Sequence, residues 1–285
     1  ELRGISSIEQ IPQTLTNLVA SGTGSELILS PKSMFSPIGG LYVTIGVSVV
    51  NGSTAISSGT VGDFISEFKI MQGTKTLLNI SNIRELQDFF HIKTGTTLSD
   101  VNIPTTASTT DTASLSFKLP YFIALGSQVS FHFRFNGYNN AISGGSVTSG
   151  TATISMSIYY VSFPVSESEM WEIVPTPTAL ASNTDVNLGN YTTNGKAIYE
   201  MWLDITNDSY LNEYKFEQGR TLLYNSYLSD LVNLEVIEPQ YSHFNGLLLL
   251  PIQFGVVLNT ASNSQSQALV NLNTSEQVIL FYRVQ

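Results

Sequence analysis

The chain of 285 residues contains no cysteine. That excludes a disulfide framework, a thiolate zinc site, an iron–sulfur cluster and a cysteine nucleophile, and it leaves the redox compartment open. Charge is scarce as well. Only 12% of residues are charged, about half the roughly 25% usual in globular proteins. Cations are the scarcer sign: 12 Lys and Arg stand against 22 Asp and Glu, a formal net charge of -10. A basic stripe for nucleic acid cannot be built from so few, so no direct nucleic-acid partner is expected. Long apolar runs are missing too. Ile38–Val50 and Leu247–Leu258 span 13 and 12 residues, short of the roughly 20 a membrane helix needs. The opening Glu1-Leu2-Arg3-Gly4 shows no apolar stretch of a secretory signal.

What remains is apolar and hydroxyl-rich. Hydrophobic residues make 42% of the chain, and 36 Ser with 28 Thr make nearly a quarter. This is too hydrophobic and too weakly charged for a disordered chain. Ser33–Gly62, Phe135–Ser166 and Pro239–Ser275 hold no Asp, Glu, Lys or Arg, yet they are patterned. Leu41, Val43, Ile45, Val47 and Val49 alternate, as do Ala152, Ile154, Met156 and Ile158, with Ser or Thr often between them. Period-two alternation predicts half-buried strands with a hydroxyl-bearing outer face. Val129–Phe135 and Glu276–Val284 read the same way. Asn51-Gly52, Asn136-Gly137, Gly144-Gly145, Asn194-Gly195 and Asn245-Gly246 supply turns. The fold class predicted is all-β. Two stretches break the pattern: Ile80, Ile83, Leu86, Phe89, Phe90 and Tyr224, Tyr227, Leu228, Leu231, Leu234 are spaced like helix faces.

An internal repeat organises these elements. Glu67, Lys69, Gln72 and Gly73 recur as Glu213, Lys215, Gln218 and Gly219, with Phe68 matched by Tyr214. Removing one residue after the glycine continues the match: Leu77-Leu78 to Leu222-Leu223, Ser81 to Ser226, Ile83 to Leu228, Glu85 to Asp230 and Leu86 to Leu231. A strand, a glycine turn and an amphipathic helix thus occur twice. Each copy follows a strand with a tyrosine and precedes a strand with a proline, a polar loop and a closing aromatic strand.

Carried by Ile65–Phe90, Leu211–Leu234 and the closing strands Thr153–Phe163 and Gln277–Val284, this order resembles the double jelly-roll major capsid proteins of small icosahedral membrane-containing viruses, the lineage of adenovirus hexon, tectivirus and corticovirus. The resemblance covers about residues 25–285 in topology. It implies two tandem jelly-roll β-barrels, each with one inserted short helix, divided as an N-terminal arm 1–24, a first jelly roll 25–163, a linker leading into the second barrel 164–195, and a second jelly roll 196–285. It implies a homotrimer of hexagonal outline meeting neighbouring capsomers in the virion shell, with minor capsid proteins and an internal membrane as further partners. The polar stretches Thr94–Asp111, Asn136–Gly150 and Thr260–Gln267 would form tower or intersubunit loops. Ile5, Ile8, Ile11, Leu15, Leu18 and Val19, interrupted by Pro12, would make the arm's apolar stripe, which either reaches a neighbour or membrane or packs on its own domain.

Chemistry is sparse. His91, His132 and His243 form no metal-spaced pair, no G-x-S-x-G elbow appears, and phosphate loops are absent. His132, between Phe131 and Phe133, should point outward from a strand. Glu200 with Asp204, and Glu213 with Glu217, are the pairs a glycoside hydrolase would need, but Glu213-x-Lys215 repeats Glu67-x-Lys69, which favours a structural role. Asp204 and Asp208 are the weak candidates for a metal, structural calcium at most, and match no EF-hand. Asn183-Thr-Asp185 is similarly oxygen-rich, and turn-forming Asx residues explain both. The expected protein is structural, with no enzyme activity, no cofactor and no small-molecule substrate. The alternative is a two-domain β-sandwich carbohydrate-binding or adhesin protein, suggested by 13 Tyr and the Ser/Thr surface.

Overall fold

A computed structural model describes residues 5–32, 34–193, 195–219, 221–237, 244–258 and 266–285. The chain divides into two compact units, Glu1–Ser168 and Glu169–Gln285. His243 and most of Thr260–Gln267 lie outside the described residues.

The first unit runs β1 (Ile5–Asn17), β2 (Thr23–Leu29), β3 (Ile38–Asn51), β4 (Ser58–Gly59), β5 (Ile65–Gln72), β6 (Lys75–Ile80), α1 (Ile83–Thr94), β7 (Thr110–Leu119), β8 (Val129–Asn136), α2 (Tyr138–Ala141), β9 (Ile142–Ser143) and β10 (Val147–Val161). Two four-stranded antiparallel sheets form, ordered β1-β10-β3-β7 and β2-β8-β5-β6. The alternation does what it predicts. Leu119–Leu41–Ile158, Phe117–Val43–Met156 and Leu115–Ile45–Ile154 are cross-strand rows of the first sheet, and all nine side chains are buried. The second sheet answers with Phe131, Phe133, Phe68 and Ile70. Phe68 stacks on Phe133 at 4.9 Å and meets Phe117 edge-on at 6.4 Å. Each such ring contributes about 2–3 kcal/mol by leaving water.

The second unit runs β11 (Met170–Pro175), β12 (Asp185–Asn187), β13 (Ile198–Asp204), β14 (Leu211–Gln218), β15 (Thr221–Ser226), α3 (Leu228–Ile237), β16 (Leu247–Leu249), β17 (Ser266–Leu272) and β18 (Ile279–Val284). Its sheets are ordered β11-β18-β13-β16 and β12-β17-β14-β15. Counting the eight principal strands of each unit in chain order, the two units have the same connectivity: 1-8-3-6 in one sheet and 2-7-4-5 in the other. Met201, Leu203, Tyr214, Phe216, Val270 and Leu280 lie in its core.

The repeat is therefore structural. β5, its turn, β6 and α1 correspond to β14, its turn, β15 and α3. Gly73 and Gly219 both hold left-handed backbone, with φ of 61° and 65°, which glycine adopts without strain. The one-residue difference sits elsewhere than the sequence alignment put it. Ile70 faces Leu78 and Phe216 faces Tyr224, so Leu78 corresponds to Tyr224 and Leu77 to Leu223. The missing residue is at the strand-to-helix junction: Ser81-Asn82 separate β6 from α1, and Tyr227 alone separates β15 from α3.

Three stretches differ from their sequence reading. Residues 1–24, read as an arm with an apolar stripe, place Ile5–Asn17 as a strand on β10. Irregularities between Ile5 and Ser7 and between Ile11 and Thr14 shift the register. Within the regular span Ser7–Ile11, Ile8 is exposed and Ile11 buried, so apolar residues three apart take opposite faces of the strand. The second irregularity holds Pro12, at an edge where a missing N–H is tolerated. Residues 164–195, read as a linker, contribute β11 and β12, with Trp171 buried. And the first unit carries a second helix, the single turn α2.

Candidate functional site

The repeated Glu-x-Lys lies on the outward face of β5 and β14. In the first unit Phe131, Phe133 and Phe135 point inward, so Ser130, His132 and Arg134 point outward. Register aligns Glu26, Arg134 and Glu67 in one row across β2, β8 and β5. Arg134 Nε lies 3.3 Å from Glu67 and 3.8 Å from Glu26. Lys69 Nζ is 2.9 Å from Glu67. His132 bridges Glu26 through Nδ1 at 2.9 Å and Ser130 through Nε2 at 2.8 Å. The His132 hydrogen bond, with the nearby cations, holds the Glu26 carboxyl below its ordinary range against a smaller opposing effect of burial.

The second unit builds the same row from Asp185, Asn271 and Glu213. Asn271, where the first unit has Arg134, donates to Asp185 at 2.8 Å. Lys215 spans Asp185 at 3.0 Å and Glu213 at 2.7 Å. The Asn271 amide foremost, and Lys215 after it, lower the Asp185 carboxyl. Bonds to Glu213 and Asp185 raise Lys215. In the first row two carboxylates meet Arg134, Lys69 and His132; in the second two carboxylates share one cation, Lys215, and an amide. The sequence exposed only the Glu67/Lys69 and Glu213/Lys215 members, because cross-strand partners are remote along the chain.

A second repeated device joins the first and last principal strands of each unit. Tyr160 on β10 donates to Glu9 on β1 at 2.6 Å, and Tyr282 on β18 donates to Glu172 on β11 at 2.6 Å. Glu172 also accepts from Thr193 and Lys196. Burial opposes its charge, yet the three donors together hold its carboxyl below the ordinary range. Burial first, then the carboxylate partner, raises both phenols.

The remaining candidates are scattered over the second unit and α1. Glu200 accepts the Trp202 indole N–H at 2.9 Å and lies 3.7 Å from Arg283. Glu213 belongs to the ionic row, and Glu217 faces Leu222 and Gln267. Asp204 is buried at the end of β13. Asp208 accepts the Gly246 N–H at 2.6 Å, tying two loops. His91 is buried in α1. Among the described residues no group of three or more His, Asp or Glu gathers to hold a metal ion.

One outer face carries hydroxyls. Thr151–Ser48–Thr112, Thr153–Gly46–Ser114 and Ser155–Thr44–Ser116 are successive rows over β10, β3 and β7. At the centre Gly46 leaves a shallow groove of about 520 Å³, since a Cβ there would approach Thr153 Oγ1 to 2.6 Å. No helix among the described residues is long and apolar enough to cross a membrane.

Solved structures share this arrangement along the whole chain. The STIV MCP superposes with a TM-score of 0.66 at 13% identity, covering 98% of this chain and 96% of that one. The chain has the double jelly-roll fold. The same double jelly roll relates it to a structure of Sulfolobus turreted icosahedral virus (TM-score 0.64, 15% identity, 98% and 90% covered). The major capsid protein of bacteriophage PM2 follows (TM-score 0.52, 11% identity, 96% and 98% covered). No protein-family model and no curated protein sequence matches the chain. The sequence resemblance to double jelly-roll capsid proteins thus extends to three-dimensional structure.

Proposed function

We propose that the chain is a structural major capsid protein, assembling as pseudo-hexameric trimers into an icosahedral virion shell. The observation that carries this is end-to-end superposition of a duplicated double jelly roll on viral capsid proteins of nearly the same extent. The site chemistry agrees: carboxylates are spent on ionic rows, indole and phenol contacts and loop ties, so the protein is read as non-catalytic and free of cofactors. Its partners are two further copies, neighbouring capsomers, minor capsid proteins and an internal membrane, without direct nucleic-acid contact. Electron microscopy of the purified oligomer tests this. Three-fold particles of hexagonal outline are expected, and a protein that remains monomeric at tens of micromolar would overturn it. The hydroxyl-lined groove over Gly46 adds a structural observation to the carbohydrate-binding alternative. Reproducible glycan-array binding without assembly would favour that reading.

A further inference from the structure

Equivalent strands of the two units differ in cover. β6 and β15 are each the last strand of their sheet. On β6, Leu77 and Leu78 are fully buried. The Tyr121 side chain, itself buried, donates to the Leu77 carbonyl at 2.8 Å, so the first unit closes over its own edge. On β15 the corresponding Leu223 and Tyr224 are each 42% exposed, and Leu222 and Tyr227 are 48% and 54% exposed. An apolar edge strand combines bare side chains with unpaired backbone groups, a liability that native proteins shield or use.

We propose that β15 is a contact surface for a second copy of this chain, an inference that rests on the oligomeric reading above. Charge selects that occupant. Two copies of a chain with a net charge of -10 repel unless they meet through faces without acids, and Thr221–Ser229 is nine residues without one charge. An uncharged apolar patch is the composition of an interface core. The cover that the first unit supplies to β6 from its own chain is supplied to β15 by the neighbour. A ring of three needs a heterologous contact, so in a trimer β15 meets a different surface of the next copy.

The test uses sedimentation of the full chain and its Leu223→Glu variant. Leu223 is partly exposed, so the variant should keep the wild-type circular dichroism while losing the trimer mass and sedimenting as a monomer. A variant that trimerises like wild type overturns the β15 contact and leaves the capsomer reading standing. A wild type that is itself monomeric overturns both. Since the chain has no cysteine, Leu223→Cys carries a single photo-crosslinker in an independent check. Crosslinks between copies support the contact, and a trimer without them overturns it.

Discussion

Tyr282 and Glu172 join the last and first principal strands of the second unit through a 2.6 Å hydrogen bond, and Tyr160 and Glu9 do the same in the first. Bonds to a charged partner contribute about 1.5–3 kcal/mol. Tyr282→Phe should therefore lower unfolding stability by about 2 kcal/mol in urea titration. Tyr160→Phe should lower stability by about 1–2 kcal/mol, leaving Glu9 with the Lys32 N–H at 3.0 Å.

Acid should destabilise the fold in a predictable direction. Glu26, Glu172 and Asp185 are held below the ordinary carboxylate range. Groups of that kind add stability above their unfolded pKa and lose it as pH falls through the folded value. Melting temperature should drop once pH passes below about 4. Glu85 has the opposite sign, because burial raises its carboxyl. Its contribution is complete below the unfolded pKa and is lost as pH rises through the raised value. Glu85→Gln should keep the bond to the Ser81 N–H, be no less stable than wild type at pH 7, and flatten the pH profile above 5.

The start of α1 is a reciprocal cap. Asn82 accepts the Glu85 N–H at 3.0 Å and Glu85 accepts the Ser81 N–H at 2.7 Å. Asn82→Ala should cost about 1 kcal/mol by chemical denaturation. In the second unit Asp230 accepts the Tyr227 N–H at 3.0 Å, so Asp230→Ala should show a loss of similar sign.

Two left-handed glycines should respond differently to a methyl group. Gly246 has φ of 93°, and a Cβ there would lie 2.2 Å from the Ile205 carbonyl oxygen. Gly246→Ala should cost more than about 2 kcal/mol, combining clash with strain. Gly195 has φ of 81° with open space around it, and Gly195→Ala should cost about 1 kcal/mol from backbone strain alone. Parallel thermal melts of the two variants check the difference.

Much of the fold is legible in sequence because the long strands alternate without interruption: Leu41 to Val49 and Ala152 to Ile158 can only bury one face. Glu67-x-Lys69 and its copy reveal the duplication. β1 is hidden because its apolar residues fall on both faces, Ile5 and Ile8 outward and Ile11 inward, so no alternation marks the strand. β11 and β12 are hidden because β11 ends on Pro175 with Pro177 just beyond it, β12 has three residues, and neither alternates. Of the site, the Glu67 and Glu213 pairs are local and visible. Glu26 with His132, and Glu172 with Tyr282, are 106 and 110 residues apart and meet only through sheet register, which a single sequence does not display.

The shared connectivity of the two units, set beside Arg134 against Asn271 and Leu78 against Tyr224, carries an evolutionary consequence. Tandem copies that began alike can diverge independently once fused, because each keeps its own core. A single gene then provides two variants of one domain in fixed one-to-one supply, with no need to regulate or sort separate chains.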